Sequence, residues 1–301
     1  MPLFGPELLK RFHYLSLVAG RLGGSPLLAT ARCRLPAGGT EVTDYRDYVP
    51  GDDFYHIHWT WCARRDELLV KVFECDPPRY VYLLVDCSAS MALGRPAKFQ
   101  LARQIAAALG YVSLAAGDRL AAAALADTLV AELPTICHPA RLVRLLRFLE
   151  GLSPDDARTC LARSAEMFVR RRPPPGQVIV LSDLYDPDGY RRAFELLCYH
   201  GHEPRLVHLF DPQEDNPGLL GDVELVEVES QAVRGATITE RAALRYRALV
   251  AEFRRAVRDF CSRQGIVCMQ LACDTPQDEA LLRVLGGTRA KPSGTAATVG
   301  K

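Results

Sequence analysis

Tyr80-Val81-Tyr82-Leu83-Leu84-Val85-Asp86-Cys87-Ser88-Ala89-Ser90-Met91 is the stretch that decides how this chain is read. An apolar, β-prone run ends abruptly in one carboxylate and two hydroxyls at alternate positions. Such a run, bounded by polar turn residues, predicts a strand buried on both faces of a parallel sheet. Asp86, Ser88 and Ser90 then fall at the strand's carboxyl end, where open α/β sheets place their ligand sites. Oxygen donors alone on one short loop suit a hard divalent cation, Mg²⁺ first, with Mn²⁺ or Ca²⁺ as alternatives. The plainer reading is a serine-rich turn that caps the next helix.

Outward from this stretch, strand and helix patterns alternate. Leu101, Ile105, Leu109 and Val112 recur at helical spacing between Lys98 and Leu114. Arg119 to Leu125 reads as the next strand and Leu129 to Leu133 as an edge strand. Helical patterns follow at Pro139 to Leu149 and at Leu161 to Arg172, the second stopped by Pro173-Pro174-Pro175-Gly176. Gln177 to Ser182 is a second apolar strand, and it too ends in a carboxylate, Asp183. A helix near Gly189 to His200 leads to a strand from Arg205 to Phe210. Residues 212–236 form a Pro/Gly/Asp-rich excursion with one strand-like run, Val223 to Val228. Thr237 and Glu240 have capping-box spacing and open a long helix with Leu249, Phe253, Val257 and Phe260 on one face. Ile266 to Leu271 is a last strand and Pro276 to Leu285 a last helix.

The fold class implied is α/β: a doubly wound, mostly parallel sheet over residues 79–290. A small, mostly β region over 1–78 precedes it and ends at Asp76-Pro77-Pro78; a loose tail over 291–301 follows. Right-handed crossovers put the carboxyl ends of parallel strands on one edge, so Asp86 and Asp183 can face one point. Thr159, just before the helix near Leu161, is placed to add a hydroxyl, with Thr128 and Thr135 as rivals nearer the edge strand. Asp86, Ser88, Ser90, Thr159 and Asp183 make an oxygen-rich, incomplete shell that waters or a partner would finish.

Composition narrows the classes. The chain has 301 residues, 49% hydrophobic and 24% charged, enough for a full core. A net charge of +1 gives no electrostatic reason for nucleic acid or an anionic membrane. No apolar run approaches the roughly 18 residues of a membrane span. Met1-Pro2-Leu3-Phe4-Gly5-Pro6 lacks a signal-peptide pattern, so a cytoplasmic location is the default expectation. The ten cysteines include no Cys-x-x-Cys pair and are expected to be reduced small hydrophobes. No glycine-rich phosphate loop is present.

The Asp-x-Ser-x-Ser loop after a buried strand, with Leu181-Ser182-Asp183 and Thr159, resembles the metal-ion-dependent adhesion site of von Willebrand factor A domains. The glycine that relatives often carry next is Leu184 here, and their Gly-Gly-Thr is Ala157-Arg158-Thr159. Tyr45-Arg46-Asp47-Tyr48-Val49-Pro50-Gly51-Asp52-Asp53, followed by Ile57, Trp59, Ala63 and Arg64, resembles the signature of domain-of-unknown-function family 58. Tyr55 and His58 depart from that signature, standing where many relatives have Arg and Asp. The resemblance implies an interaction role, often beside MoxR-type AAA+ ATPases.

Two functions compete. The first is a metal-dependent protein–protein interaction module, whose partner offers an Asp or Glu carboxylate to the cation. The second is a metal-dependent hydrolase acting on phosphate esters, with His138 or His208 as base. Against it, position 88 is Ser rather than the second Asp of an aspartyl-phosphate loop, and no nucleophile elbow is present. A non-enzyme is expected. A structural scaffold with an empty metal site is a third reading.

Other features have ordinary explanations. His56 and His58 would share a strand face as a packed or solvated pair, and Trp59 and Trp61 would be buried against the main sheet. Asp52 and Asp53 belong to a turn, which Arg46 and Arg64 would hold by bidentate pairing. Arg170-Arg171-Arg172 ends a helix, where cations complement the dipole; the alternative is a patch for an anionic partner.

Overall fold

The computed structural model describes residues 41–50, 57–65, 68–74, 79–94, 96–154, 159–215, 221–226 and 233–286, with Tyr14, Leu27 and Gly218 singly. Asp52, Asp53, Tyr55, His56, Asp76-Pro77-Pro78, Ala157-Arg158 and the tail lie outside the described residues. The chain divides into two compact units. One is Ala29–Arg79; the other joins Met1–Leu28 to Tyr80–Lys301.

In the smaller unit, β1 (Glu41–Asp47) and β2 (Leu69–Glu74) pair antiparallel, with α1 (Trp59–Arg65) between them in sequence. The expected strand face of His58, Trp59 and Trp61 is therefore corrected. His58 Nδ1 accepts from the Trp61 amide at 3.1 Å, which starts a helix rather than continuing an extended chain. Trp59 is 61% exposed and Trp61 36%, so neither is buried. Arg46 donates to the Asp47 carbonyl at 3.1 Å.

The larger unit runs β3 (Tyr80–Asp86), α2 (Lys98–Ala115), β4 (Arg119–Leu125), β5 (Leu129–Ile136), α3 (Leu142–Gly151), α4 (Leu161–Arg170), β6 (Gln177–Ser182), α5 (Arg191–Tyr199) and β7 (Glu203–Phe210). It continues with α6 (Pro212–Asp215), β8 (Gly221–Val226), β9 (Val233–Ile238), α7 (Glu240–Arg263), β10 (Val267–Ala272) and α8 (Gln277–Gly286). The six-stranded sheet has the order β10-β7-β6-β3-β4-β5. All its pairings are parallel except that of β5, which runs antiparallel along the β4 edge. The α/β, mostly parallel architecture expected from the alternating pattern is present.

Strand alternation splits β3 between two cores. Val81, Leu83 and Val85 pack with residues of α2, α3 and α8, while Tyr82 and Leu84 pack with those of α4, α5 and α7. Helices on both faces explain why β3 and β6 read as unbroken apolar runs. Gly176, just before β6, sits where a Cβ would run into the Tyr80 backbone carbonyl, so the β3–β6 approach depends on its lack of a side chain.

Three further expectations are corrected. The excursion holds a second strand, β9, paired antiparallel with β8. Thr237 lies in that strand, so the cap of α7 is Thr239, whose hydroxyl accepts from the Ala242 amide at 3.2 Å. Val257 and Phe260 are buried on α7, but Leu249 is 54% exposed.

Candidate functional site

From β3 the chain winds first to β4 on one side of the sheet and later to β6 on the other. The crevice between the carboxyl ends of β3 and β6 is therefore the topological switch point. Asp86 closes β3, and Asp183 follows directly on β6.

Asp86 is fully buried. Its Oδ1 accepts from the Ser88 amide at 2.9 Å and its Oδ2 from the Ser182 hydroxyl at 2.5 Å. Burial, and then the charge of Asp183, push its carboxyl up to about 6 despite these bonds. Ser88 Oγ and Ser90 Oγ lie 3.1 Å apart, both buried, at the start of a 3₁₀ turn over Ala89–Ala92. Four of the five expected residues thus meet at one edge.

Thr159 is 2% exposed, and the next residue ties that segment to the end of β4 through Cys160 N to the Ala126 carbonyl at 3.1 Å. Of its rivals, Thr128 is half-buried in the β4–β5 turn and Thr135 is exposed on β5.

Asp183 has a partner absent from the sequence reading. Lys98, the first residue of α2, is completely buried. Its Nζ donates to Asp183 Oδ2 at 2.8 Å and to Glu214 Oε1 at 2.6 Å. Burial alone would lower its pKa, but the charges of Asp183 and Glu214 outweigh that and raise it. Nζ also lies 4.9 Å from the centre of the Tyr185 ring, whose hydroxyl donates to Glu214 Oε2 at 3.1 Å. Burial, followed by Glu214, drives the Tyr185 phenol upward.

The one sign of Lys98 in the sequence is its place in the first turn of a helix, where the dipole disfavours a cation unless carboxylates offset it. Leu184 adopts a left-handed φ of 61°. That turn lets the Tyr185 amide return to Asp183 Oδ1 at 3.2 Å, and the Leu184 amide bonds Ser182 Oγ at 2.9 Å.

His208 on β7 lies beside the site. Burial lowers its pKa to about 4, so the ring is neutral at pH 7. One tautomer fits its surroundings: Nε2–H donates to the Asp183 carbonyl at 3.2 Å, and Nδ1 accepts from Gln270 at 3.2 Å. With both nitrogens engaged, His208 orients Asp183 rather than standing free as a base. His138 caps a 3₁₀ turn by accepting from the Ala140 amide at 3.2 Å.

Among the described residues, no three or more His, Cys, Asp or Glu side chains are grouped so as to hold a metal. A cation at this edge would depend on the serine hydroxyls beside the two aspartates. No described helix is long and apolar enough to cross a membrane.

The family model described as "Protein of unknown function DUF58" matches residues 44–258. Uncharacterized proteins of Mycobacterium tuberculosis and Mycobacterium bovis are 28% identical over 228 residues, 72% of this chain and 72% of theirs. Among solved structures, the conserved hypothetical protein BatB of Bacteroides thetaiotaomicron aligns with a TM-score of 0.45 and 13% identity, over 68% of this chain and 96% of that one. An aerotolerance-related membrane protein of Bacteroides fragilis aligns with a TM-score of 0.44 and 14% identity, over 68% and 96%.

Proposed function

This chain belongs to the DUF58 family, and from that premise we propose that it is a metal-dependent protein–protein interaction module with a von Willebrand factor A-like domain. The observation that carries the proposal is the charge balance at the β3–β6 edge. Asp183 and Glu214 share the ammonium of Lys98, and Asp86 lies near enough to Asp183 for that charge to push its carboxyl up. Carboxylates outnumber the one ammonium among these groups, an excess of negative charge that a bound cation would offset, while His208 beside them is neutral. The donors fit as well. Ser88 Oγ and Ser90 Oγ hydrogen-bond each other at 3.1 Å, which is also about the 3 Å spacing of neighbouring corners of an octahedral Mg²⁺ shell.

Asp86, Ser88, Ser90 and Asp183, with Thr159 as the fifth candidate, would hold Mg²⁺, or Mn²⁺ or Ca²⁺ in its place. Neutral hydroxyls leave such a cation electrophilic, so an Asp or Glu of a protein partner completes its shell. A MoxR-type AAA+ ATPase in the cytoplasm is the partner this reading favours. Calorimetric titration of Mg²⁺ and Mn²⁺ is expected to give saturable binding that Asp86→Ala abolishes. Absence of heat from the wild-type protein would contradict metal binding. Such a result would favour a second reading, which Lys98 itself supports: an ammonium already on Asp183 serves as the resident cation of a structural scaffold.

A further inference from the structure

Far from Asp86 along β6 and β7, at the amino ends of these strands, lies a cavity of about 620 Å³. That volume is within the usual range for small-molecule sites. His202 lines it, 5% exposed, with its ring edge-on to Tyr82 at 5.7 Å and tilted on Phe168 at 5.4 Å. The ring hydrogen-bonds the Gly176 backbone, while its Nδ1 is buried without a partner. With the other ring nitrogen donating to the Gly176 backbone, Nδ1 of the neutral ring is the acceptor, and burial favours that neutral form. A buried acceptor left unpaired is unfavourable and marks a place for a donor.

Around that floor the lining is cationic and apolar. Arg170 shares its charge with Glu166 at 2.7 Å, whereas Arg172 makes no ion pair among the described residues. Pro173, Pro175 and Leu196 supply apolar wall.

We propose that this cavity is a binding site for a small organic anion that carries an O–H or N–H donor. The donor satisfies His202 Nδ1, the anionic group faces Arg172 with Arg170, and the apolar body lies against Pro173, Pro175 and Leu196. The cavity is separate from the Asp86–Asp183 edge at the other end of the sheet.

Three matched probes test it by titration, followed in the histidine side-chain ¹⁵N spectrum: 4-hydroxybenzoate, benzoate without the donor, and 4-hydroxybenzamide without the charge. 4-Hydroxybenzoate is expected to bind wild type about tenfold more tightly than either analogue and to move the His202 Nδ1 resonance. Exposed Arg172→Gln should weaken the two carboxylates and leave the amide unchanged. His202→Phe, which keeps an aromatic ring against Tyr82 and Phe168, should erase the advantage of the hydroxyl. Equal binding of the three probes, or no movement of the His202 resonance, would overturn the proposal.

Discussion

Replacing Lys98 with methionine is expected to lower the free energy of unfolding by about 3–5 kcal/mol, the usual cost of removing one partner from a buried ion pair. The stem keeps its length and packing, so the loss is electrostatic. Asp183, 1% exposed, and Glu214, whose side chain is 18% exposed, would face each other without their shared ammonium. Desolvation of both carboxylates would then go uncompensated, and Tyr185 OH would be the bond left to Glu214 from this cluster. Urea denaturation at pH 7.5 measures the change. A loss below about 1 kcal/mol, the size expected of an exposed pair, would show that Lys98 is not the counter-charge of this edge.

Asp86→Asn should act in the opposite direction. The carboxyl titrates near 3.8 in the unfolded chain and about 6 in the folded one. Below 3.8 both states hold the proton and the shift has no effect on stability. As pH rises from 3.8 to 6 the unfolded chain ionises first, so stability falls, and above 6 the full penalty of about 3 kcal/mol is present. Asparagine is isosteric and still accepts from the Ser88 amide, so at pH 7.5 without divalent cations the variant should gain up to about that amount.

His208 works against this slope. Its pKa falls from 6.5 to about 4 on folding, so its contribution is complete above 6.5 and is lost as pH drops toward 4. In the wild type the two slopes oppose each other between about 4 and 6. In Asp86→Asn the histidine slope should stand exposed as a steeper acid loss. Urea melts between pH 4 and 8 follow both effects. A variant less stable than wild type at pH 7.5 would mean that Asp86 is not a destabilised carboxylate.

Most of the sheet was legible because β3 and β6 are buried on both faces, and continuous apolar runs have few alternatives. The same geometry made Asp86, Ser88, Ser90 and Asp183 legible as neighbours, since parallel strands share a carboxyl edge. Lys98 and Glu214 were not. They lie 116 residues apart, and neither breaks a local pattern strongly enough to be singled out. Trp59 and Trp61 misled because two residues of alternation look alike at the start of a helix and within a strand. At Thr237 the capping-box spacing was met by chance. The residue two positions later is where the β9 strand ends and the helix begins, so its hydroxyl takes the cap.

The most direct test of a cation at the β3–β6 edge is paramagnetic broadening of backbone amide resonances by Mn²⁺ at substoichiometric concentration. Broadening centred on residues 86–90 and 183–185, reversed by excess Mg²⁺ and absent in Asp86→Ala, is the expected result. Broadening centred elsewhere, or none at these residues, would contradict a metal-dependent site in this protein.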